Sequence, residues 1–150
     1  MRQTRIEAPG GADDRRWLAL RMRLWPHASE AQHLTEMGDV LGRGQCVFLA
    51  FAQADFAIGF AEASRRTDYV NGTESSPVGF LEGLYVEPSF RRNGIARALV
   101  AAVEHWASAQ GCTELASDSL IENTDAHASH RALGFEETER VVYFKKRLEF

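Results

Sequence analysis

Residues 78–118 constrain the fold of this chain more than any other segment. VGFLEGLYVEP is a run of β-branched, aromatic and aliphatic residues typical of a strand, and CTELASD is a second strand-like run. Between them, from residue 93 to about residue 110, apolar side chains recur at helical spacing until Gly111 ends the pattern. A strand, a helix and a strand in this order predict a parallel pair joined by a crossover helix.

The other segments predict a mixed sheet with helices on both faces. CVFLAFA and FAIGFAEASRR, joined by a short polar connection, indicate an antiparallel hairpin, and TRIEA alternates like a short first strand. DDRRWLALRMRLWP and SEAQHLTEMGDVLG have helical periodicity, with Ser29 as a cap and Gly42 at the end of the second helix. ENTDAHASHRALGF and ERVVYFKKRL predict a last helix and a last strand. We therefore expect an α/β (α+β) architecture.

The composition is that of one soluble domain over residues 1–150, with 45% hydrophobic and 25% charged residues. A net charge of −4 argues against a nucleic-acid partner and is compatible with a cationic small molecule. The chain has neither a leading apolar run of signal-peptide length nor a run of about 18 apolar residues, so we expect a cytoplasmic protein without a membrane span. Cys46 and Cys112 are expected to be buried free thiols, with a disulfide as the alternative. The five histidines fit no recognised ligand spacing, so we expect no metal.

The junction RRNGIA, at residues 91–96, has the features of a phosphate site. A glycine-containing turn that opens a helix presents free backbone N–H groups at the positive end of the helix dipole. Gly94 has no Cβ, so a phosphate can approach the backbone, and Ala96 keeps the next turn open. The alternative is an ordinary strand–helix connection with solvated arginines. Neither a GxxxxGK[ST] nor a GxGxxG pattern is present, which excludes a Walker loop and a dinucleotide fingerprint.

The spacing [RQ]xxGx[GA] of this junction, after the strand that ends at Val86, resembles the acetyl-CoA motif of the GNAT superfamily of N-acetyltransferases. Asn123 and the later ALGF are similar to the second cofactor segment of that superfamily. LRMRLWP, DYVNG, SSPVGFLEGLYVEPSFR, ASD, ENT and ALGFEETERVVYFKKR look like the aminoglycoside 6′-N-acetyltransferases. These blocks include regions that differ among GNAT enzymes, so they concern the acceptor as well as the cofactor.

The resemblance implies a mixed, mostly antiparallel central sheet of about six to seven strands flanked by about four helices. It also implies a homodimeric antibiotic-resistance enzyme that uses acetyl-CoA and no metal. The pantetheine arm would pair with the backbone of one strand, the pyrophosphate would lie at the glycine turn, and one asparagine would hydrogen-bond the cofactor. The residues for the pantetheine arm are Leu84, Tyr85 and Val86. Those for the pyrophosphate are Arg92, Asn93, Gly94, Ile95, Ala96 and Arg97, and the asparagine is Asn123.

The residues implied for the aminoglycoside are two aromatics and three carboxylates. They are Trp25, Tyr69, Glu82, Asp118 and Glu139. Their chemistry suits a polycation covered in hydroxyl groups, which binds carboxylates and flat rings. Four of them also have a simpler interpretation: core packing for Trp25, a loop aromatic for Tyr69, a turn cap for Asp118 and a solvated charged run for Glu139.

Glu82 has the most unusual position of this set. Strict alternation along its strand places it on the face of Phe80, Leu84 and Val86, among apolar neighbours. A carboxylate there would be paired, changed in its pKa or directed into a cleft. The alternative is a solvated strand edge or a local bulge.

The expected chemistry is direct attack of the acceptor amine on the thioester, with both substrates bound together. Glu82 or Asp118 would accept the proton of the amine, directly or through water, and a backbone N–H near Val86 would stabilise the oxyanion. His130 stands where many GNAT enzymes carry a tyrosine proposed to protonate the leaving thiolate, so either it serves as the acid or the thiolate leaves unassisted. Alternative functions are acetylation of a polyamine or protein N-terminus, and a non-catalytic module that binds acetyl-CoA or drug. A third alternative is a physiological role unrelated to resistance, with incidental activity on the drug.

Overall fold

The computed structural model describes residues 4–150, which form one sheet flanked by helices. The strands, in sheet order, are β1 (Arg5–Glu7), β2 (Cys46–Gln53), β3 (Phe56–Arg66), β4 (Val78–Val86) and β5 (Leu115–Ala116). The helices are α1 (Arg15–Leu24), α2 (Glu30–Gly42), α3 (Ile95–Ala109) and α4 (Thr124–Ala132), with a short 3₁₀ helix at Pro88–Phe90. Neighbouring strands from β1 to β4 are antiparallel, and β4 and β5 are parallel with α3 as the crossover. The predicted fold class is confirmed.

The sheet has five strands within residues 4–150, fewer than the predicted six to seven, because the expected last strand is absent there, and a second expected strand is short. CTELASD forms only the two-residue β5. Residues 133–150 contain neither helix nor strand, although ERVVYFKKRL has the pattern of a strand. Val142, Tyr143 and Phe144 are 76%, 83% and 91% exposed. A strand exists only where a neighbour satisfies its backbone, and the described residues provide no neighbour for this segment.

Alternate residues of β2 pack into different cores on the two faces of the sheet. Val47, Leu49 and Phe51 pack with Trp17 in the core beneath α1 and α2. Ala50 belongs to the opposite core, beneath α3. This alternation is the two-faced arrangement that the sequence predicts.

The first two helices begin at well-formed caps. Ser29 and Gln32 form a capping box at α2, as the sequence predicts for Ser29. At α1, the Asp14 carboxylate accepts hydrogen bonds from the backbone N–H groups of Gly10 at 2.8 Å and Arg16 at 2.9 Å, and it pairs with the Arg16 guanidinium. The hydrogen bond from that guanidinium, helped by those from the backbone, holds the pKa of Asp14 well below its ordinary value.

Both cysteines are buried and free, as predicted. Burial raises the pKa of the Cys46 thiol to about 12. Both side chains are only 7% exposed, so neither cysteine has the access to solvent that marks a nucleophile. Among the helices of residues 4–150, none has both the length and the apolar character needed to cross a membrane.

Candidate active site

The predicted strand–helix junction is an open turn at the N-terminus of α3. Gly94 caps the helix in the left-handed conformation, with φ 78° and ψ 9°, and no side chain caps the first turn. A Cβ built on Gly94 would meet no atom within 4 Å. Within residues 4–150, no acceptor bonds the N–H groups of Ile95, Ala96 and Arg97, so they are available at the positive end of the helix dipole, as in an anion site.

Two polar side chains of the turn hydrogen-bond nearby backbone carbonyls, and a third does not. Nε of Arg91 donates to the Val86 carbonyl at 2.8 Å, so it fastens the turn to the end of β4. Nδ2 of Asn93 donates to the carbonyls of Phe90 and Arg91, both at 3.2 Å. The exposed Arg92 side chain makes no hydrogen bond within residues 4–150 and stays available for an anion.

The edge of β4 that faces β5 is open for most of its length. The two strands pair only at Gly79 and Phe80. Beyond Phe80, this edge has no strand partner in the described part of the chain. Leu84, Tyr85 and Val86, predicted to pair with the pantetheine arm, lie on this open stretch, which leads to the Gly94 turn.

Asn123 is the helix cap of α4 in this structure. Its Oδ1 accepts from the backbone N–H of Ala126 at 3.1 Å. Its Nδ2 donors make no hydrogen bond to the rest of residues 4–150. The structure therefore gives Asn123 a structural role and leaves its predicted cofactor contact as an expectation.

Glu82 lies at a β-bulge, which corrects the prediction from strict alternation. The register pairs Glu62 of β3 with Gly83 and Ala63 with Leu81, so Glu82 is the extra residue. Its carboxylate accepts hydrogen bonds from Ser64 Oγ at 2.6 Å and from the Arg66 guanidinium at 2.7 Å. The bulge separates Glu82 from Leu84 and Val86, which belong to the α3 core, and turns it toward the α1 and α2 side.

Glu82 and Trp25 line one open cavity of about 340 Å³. Glu62 and two residues of α2, Glu36 and Asp39, also line it. The structure thus brings together two of the five residues predicted for the acceptor, in a cavity lined by four carboxylates and by two arginines, Arg21 and Arg43. Sequence reasoning missed Glu36 and Asp39, although their three-residue spacing on a predicted helix is the signal that places both on one side.

The other three predicted acceptor residues do not line this cavity. Asp118 is exposed at the end of β5, where the preceding Ser117 donates to the Leu81 carbonyl at 3.4 Å. Tyr69 is 75% exposed, and Glu139 is also exposed. These two lie on segments that touch, because Thr138 sits where a Cβ on Gly72 would lie.

His130 reaches from α4 to the end of β5. Its Nδ1 donates to the Ala126 carbonyl at 2.7 Å, and its Nε2 lies 2.8 Å from Ser117 Oγ. A carbonyl oxygen only accepts, so Nδ1 carries a proton and Nε2 is the atom free to exchange one. His130 is therefore positioned next to the strand end that carries Asp118.

Within residues 4–150, no group of three or more His, Cys, Asp or Glu side chains is arranged to hold a metal ion.

Comparison with known proteins shows the family. The sequence model described as Acetyltransferase (GNAT) family matches residues 14–135. An aminoglycoside N(6′)-acetyltransferase type 1 of Stenotrophomonas maltophilia is 56% identical over 92% of this chain and 90% of its own length. A protein of the same name from Acinetobacter genomosp. 13 is 55% identical over 88% of this chain and 90% of its own.

Solved structures agree in fold and sequence. AAC(6′)-Iy in complex with the bisubstrate analog CoA-S-monomethyl-acetylneamine is 47% identical, with a TM-score of 0.89 over 97% of this chain and 99% of that one. The aminoglycoside 6′-N-acetyltransferase AAC(6′)-Ih from Acinetobacter baumannii is 47% identical, with a TM-score of 0.92 over 98% of this chain and 100% of that one. The chain therefore belongs to the GNAT family of acetyltransferases, as a close relative of the aminoglycoside N(6′)-acetyltransferases.

Proposed function

We propose that this protein transfers the acetyl group of acetyl-CoA to the 6′-amine of aminoglycosides and so confers resistance to these antibiotics. One observation carries the proposal. The strand β4 leads at one end to the open Gly94 turn, and its bulge turns Glu82 into an acidic cavity beside Trp25. A single strand thus joins an anion site suited to CoA to a cavity suited to a polycation. The names of the relatives, and the bisubstrate analog bound to one of them, point to the same pair of substrates.

Acetyl-CoA would lie along the open edge of β4. The N–H groups of Ile95, Ala96 and Arg97 would bind the pyrophosphate together with the Arg92 guanidinium. The pantetheine arm would continue past the backbone of residues 84–86, and this brings the thioester close to Val86. Asn123 has unused Nδ2 donors with which to contact the arm.

The aminoglycoside would bind in the acidic cavity. Glu82 lies at the bulge in the middle of β4, and Asp118 follows the end of the neighbouring β5. Glu36 and Asp39 supply further carboxylates from α2. Ammonium groups of the acceptor would compete with Arg66 for the Glu82 carboxylate. Tyr69 and Glu139, on two surface segments that touch, would cover the acceptor from outside the cavity.

The reaction would proceed by direct transfer. Glu82 or Asp118 accepts a proton from the acceptor ammonium, directly or through water, and the free amine attacks the thioester carbonyl. The N–H of Val86 would stabilise the tetrahedral oxyanion, which collapses to the amide as the C–S bond breaks. The nitrogen loses its second proton to solvent as the amide forms, and the departing thiolate takes up one proton from solvent or from His130 protonated on both ring nitrogens. Bringing both substrates together lowers the barrier by up to several kcal/mol.

A homodimer is part of this proposal, and the C-terminal segment supports it. The side chains of Val142, Tyr143 and Phe144 are adjacent, large, apolar and exposed. Soluble monomers rarely expose such contiguous apolar patches. Their segment has a strand-like sequence without a strand partner. A second copy of the chain offers a neighbour with a matching open sheet edge beyond the short β5.

We also propose a cytoplasmic location. Acetyl-CoA is an intracellular metabolite, and two buried free cysteines are typical of a reducing compartment.

The test is product analysis by mass spectrometry after incubation with acetyl-CoA and a panel of amines. We expect a monoacetylated product with aminoglycosides that carry a 6′-amine. Acetylation of polyamines or peptides alone would support the alternative of a different amine acceptor. Binding of acetyl-CoA and drug without any acetylated product would identify a non-catalytic binding module.

A further inference from the structure

Arg21 is a charged side chain buried in the wall of the acidic cavity, and no step of the proposed reaction uses it. It is 3% exposed and lies on α1, one turn before Trp25. We propose that Arg21 is a positioning residue for the acceptor, which fixes the orientation of the Trp25 indole against which the aminoglycoside binds. This inference rests on the proposed function, because it concerns the acceptor of that reaction.

All three nitrogens of the Arg21 guanidinium are engaged. Nη1 donates to both carboxylate oxygens of Glu62, at 2.6 Å for Oε1, Nε donates to Nδ1 of His33 at 3.2 Å, and Nη2 donates to Glu36. Glu62 is 2% exposed and also accepts from Nε1 of Trp17 at 2.8 Å. A planar guanidinium with partners along three directions has one orientation, so Arg21 is a rigid element of the cavity wall.

Arg21 and His33 hold Trp25 by both its ring and its backbone. The guanidinium carbon of Arg21 lies 4.7 Å from the centroid of the indole, within the range of a cation–π contact. Arginine only donates, so Nδ1 of His33 accepts, and the neutral imidazole carries its proton on Nε2. That Nε2 donates to the Trp25 carbonyl at 3.0 Å, and the Trp25 N–H donates to the Arg21 carbonyl at 2.8 Å.

The tip of the indole is seated on Gly83, the residue after Glu82 in the bulge. A Cβ on Gly83 would lie 2.6 Å from Cη2 and 2.8 Å from Cζ2 of Trp25. Phe60 packs edge-on against the same ring, with centroids 6.0 Å apart and planes at 76°. The indole is therefore placed between Arg21 and the strand segment that carries the Glu82 carboxylate, and a change in its tilt changes the space between ring and carboxylate.

Stability alone does not explain a guanidinium at this place. Replacing a buried ion pair by apolar side chains of similar volume is often neutral or stabilising. Orientation of the Trp25 indole is a better reason for a guanidinium here, since a misplacement of the bound acceptor by about 1 Å costs on the order of a hundredfold in rate. The acetyl-CoA site at Gly94 lies beyond the far end of β4 and shares no contact with Arg21, so the two substrates should respond differently to changes around Arg21.

The test separates the two substrates in two variants that displace the indole by different routes. Arg21→Lys keeps the charge and loses the planar fork, and Gly83→Ala pushes the ring from its other side. We expect each to raise the KM of a kanamycin-type aminoglycoside by about tenfold or more and to leave the Kd of acetyl-CoA unchanged. Gly38→Ala on α2, where a Cβ meets nothing within 4 Å, is the control and should change neither constant.

A purely structural role of Arg21 predicts a different pattern. The apparent kcat would fall because less of the protein is folded, while the KM of the aminoglycoside and the Kd of acetyl-CoA would stay unchanged. That pattern in both variants, or wild-type KM values, overturns the inference. If neither variant folds, the wild-type protein decides. The indole N–H resonance of Trp25, assigned with Trp25→Phe, should shift on titration with the aminoglycoside, and a resonance that stays fixed at saturation contradicts the inference. A wild-type enzyme that acetylates no aminoglycoside refutes the proposed function instead.

Discussion

The Arg97 guanidinium donates to the carbonyl of Ala132 across 3.2 Å, which ties the first turn of α3 to the last turn of α4. The Gly94 turn and Asn123 belong to these two helices, and both are predicted to contact acetyl-CoA. The contact therefore fixes the two halves of the candidate cofactor site relative to each other. It also means that Arg97 has a structural partner before any phosphate arrives.

A negative charge at Gly94 should weaken acetyl-CoA binding. Gly94→Asp places a carboxylate where the pyrophosphate is expected, and we predict a rise in the acetyl-CoA Kd on the order of tenfold or more. Gly94→Asn is the matched control, because it has the same size without the charge and tolerates the left-handed backbone. Calorimetry on both variants measures the difference. Equal, wild-type affinity in two folded variants would place the pyrophosphate elsewhere.

Asp118→Asn should impair turnover without affecting the cofactor. The substitution removes a charge proposed to face the acceptor and to accept its proton, so we expect kcat for a kanamycin-type acceptor to fall on the order of a hundredfold. Acetyl-CoA binding should stay as in the wild type. Asp55→Asn, at the exposed hairpin turn, is the control and should be fully active. Normal steady-state constants for Asp118→Asn would leave Asp118 with a turn-capping role only.

The acetyl group should appear at one position. Carboxylates that hold a polycation in a single pose leave one amine near the thioester, so we expect transfer to the 6′-amine only. An aminoglycoside with a 6′-hydroxyl in its place should not be acetylated, and NMR of the product locates the new amide. Acetyl on another ring amine would preserve the GNAT chemistry and refute the 6′ assignment.

Asp14 should stabilise the fold in a pH-dependent way. Its pKa is lower in the folded chain than in the unfolded one, so its contribution is complete above the unfolded value and is lost as the pH falls through the folded value. We predict that Asp14→Asn lowers the free energy of unfolding by about 1 kcal/mol at neutral pH. Urea titrations at a series of pH values should show this difference shrinking below the ordinary carboxyl pKa. A difference that is constant with pH would contradict the role of the charge.

The apolar C-terminal segment should be buried between two copies of the chain. Phe144→Asp introduces a charge at its most exposed internal aromatic, and we expect it to shift the protein from dimer to monomer in light scattering coupled to gel filtration. Leu120→Asp, another exposed apolar position outside the segment, serves as the comparison. A wild-type monomer, or a Phe144→Asp dimer, would refute this arrangement.

Local patterns predicted those parts of the protein that depend on neighbouring residues. The Ser29 cap, the β2–β3 hairpin and the Gly94 turn follow from residues adjacent in sequence, and the structure contains all three. The orientation of Glu82 depends on the register against β3, which alternation within one strand does not reveal. The contact between Arg21 and Glu62 joins residues 41 positions apart, which no local pattern identifies.

The last predicted strand was wrong for this chain for a related reason. Its residues have the right pattern, but a strand requires a partner, and the partner is not among residues 4–150. The residue pattern of a segment therefore indicates that it is able to form a strand, and an adjacent strand is needed for it to do so.

The burial of both cysteines has a practical consequence. Cys46 and Cys112 are each 7% exposed, and the Cys46 thiol stays protonated at any pH at which the enzyme would be assayed. A chromogenic disulfide reagent reacts with accessible thiolates, so the cysteines of the folded enzyme should not react with it. Colour that develops in a reaction mixture would then count CoA molecules released, one for each acetyl group delivered, without a correction for the protein.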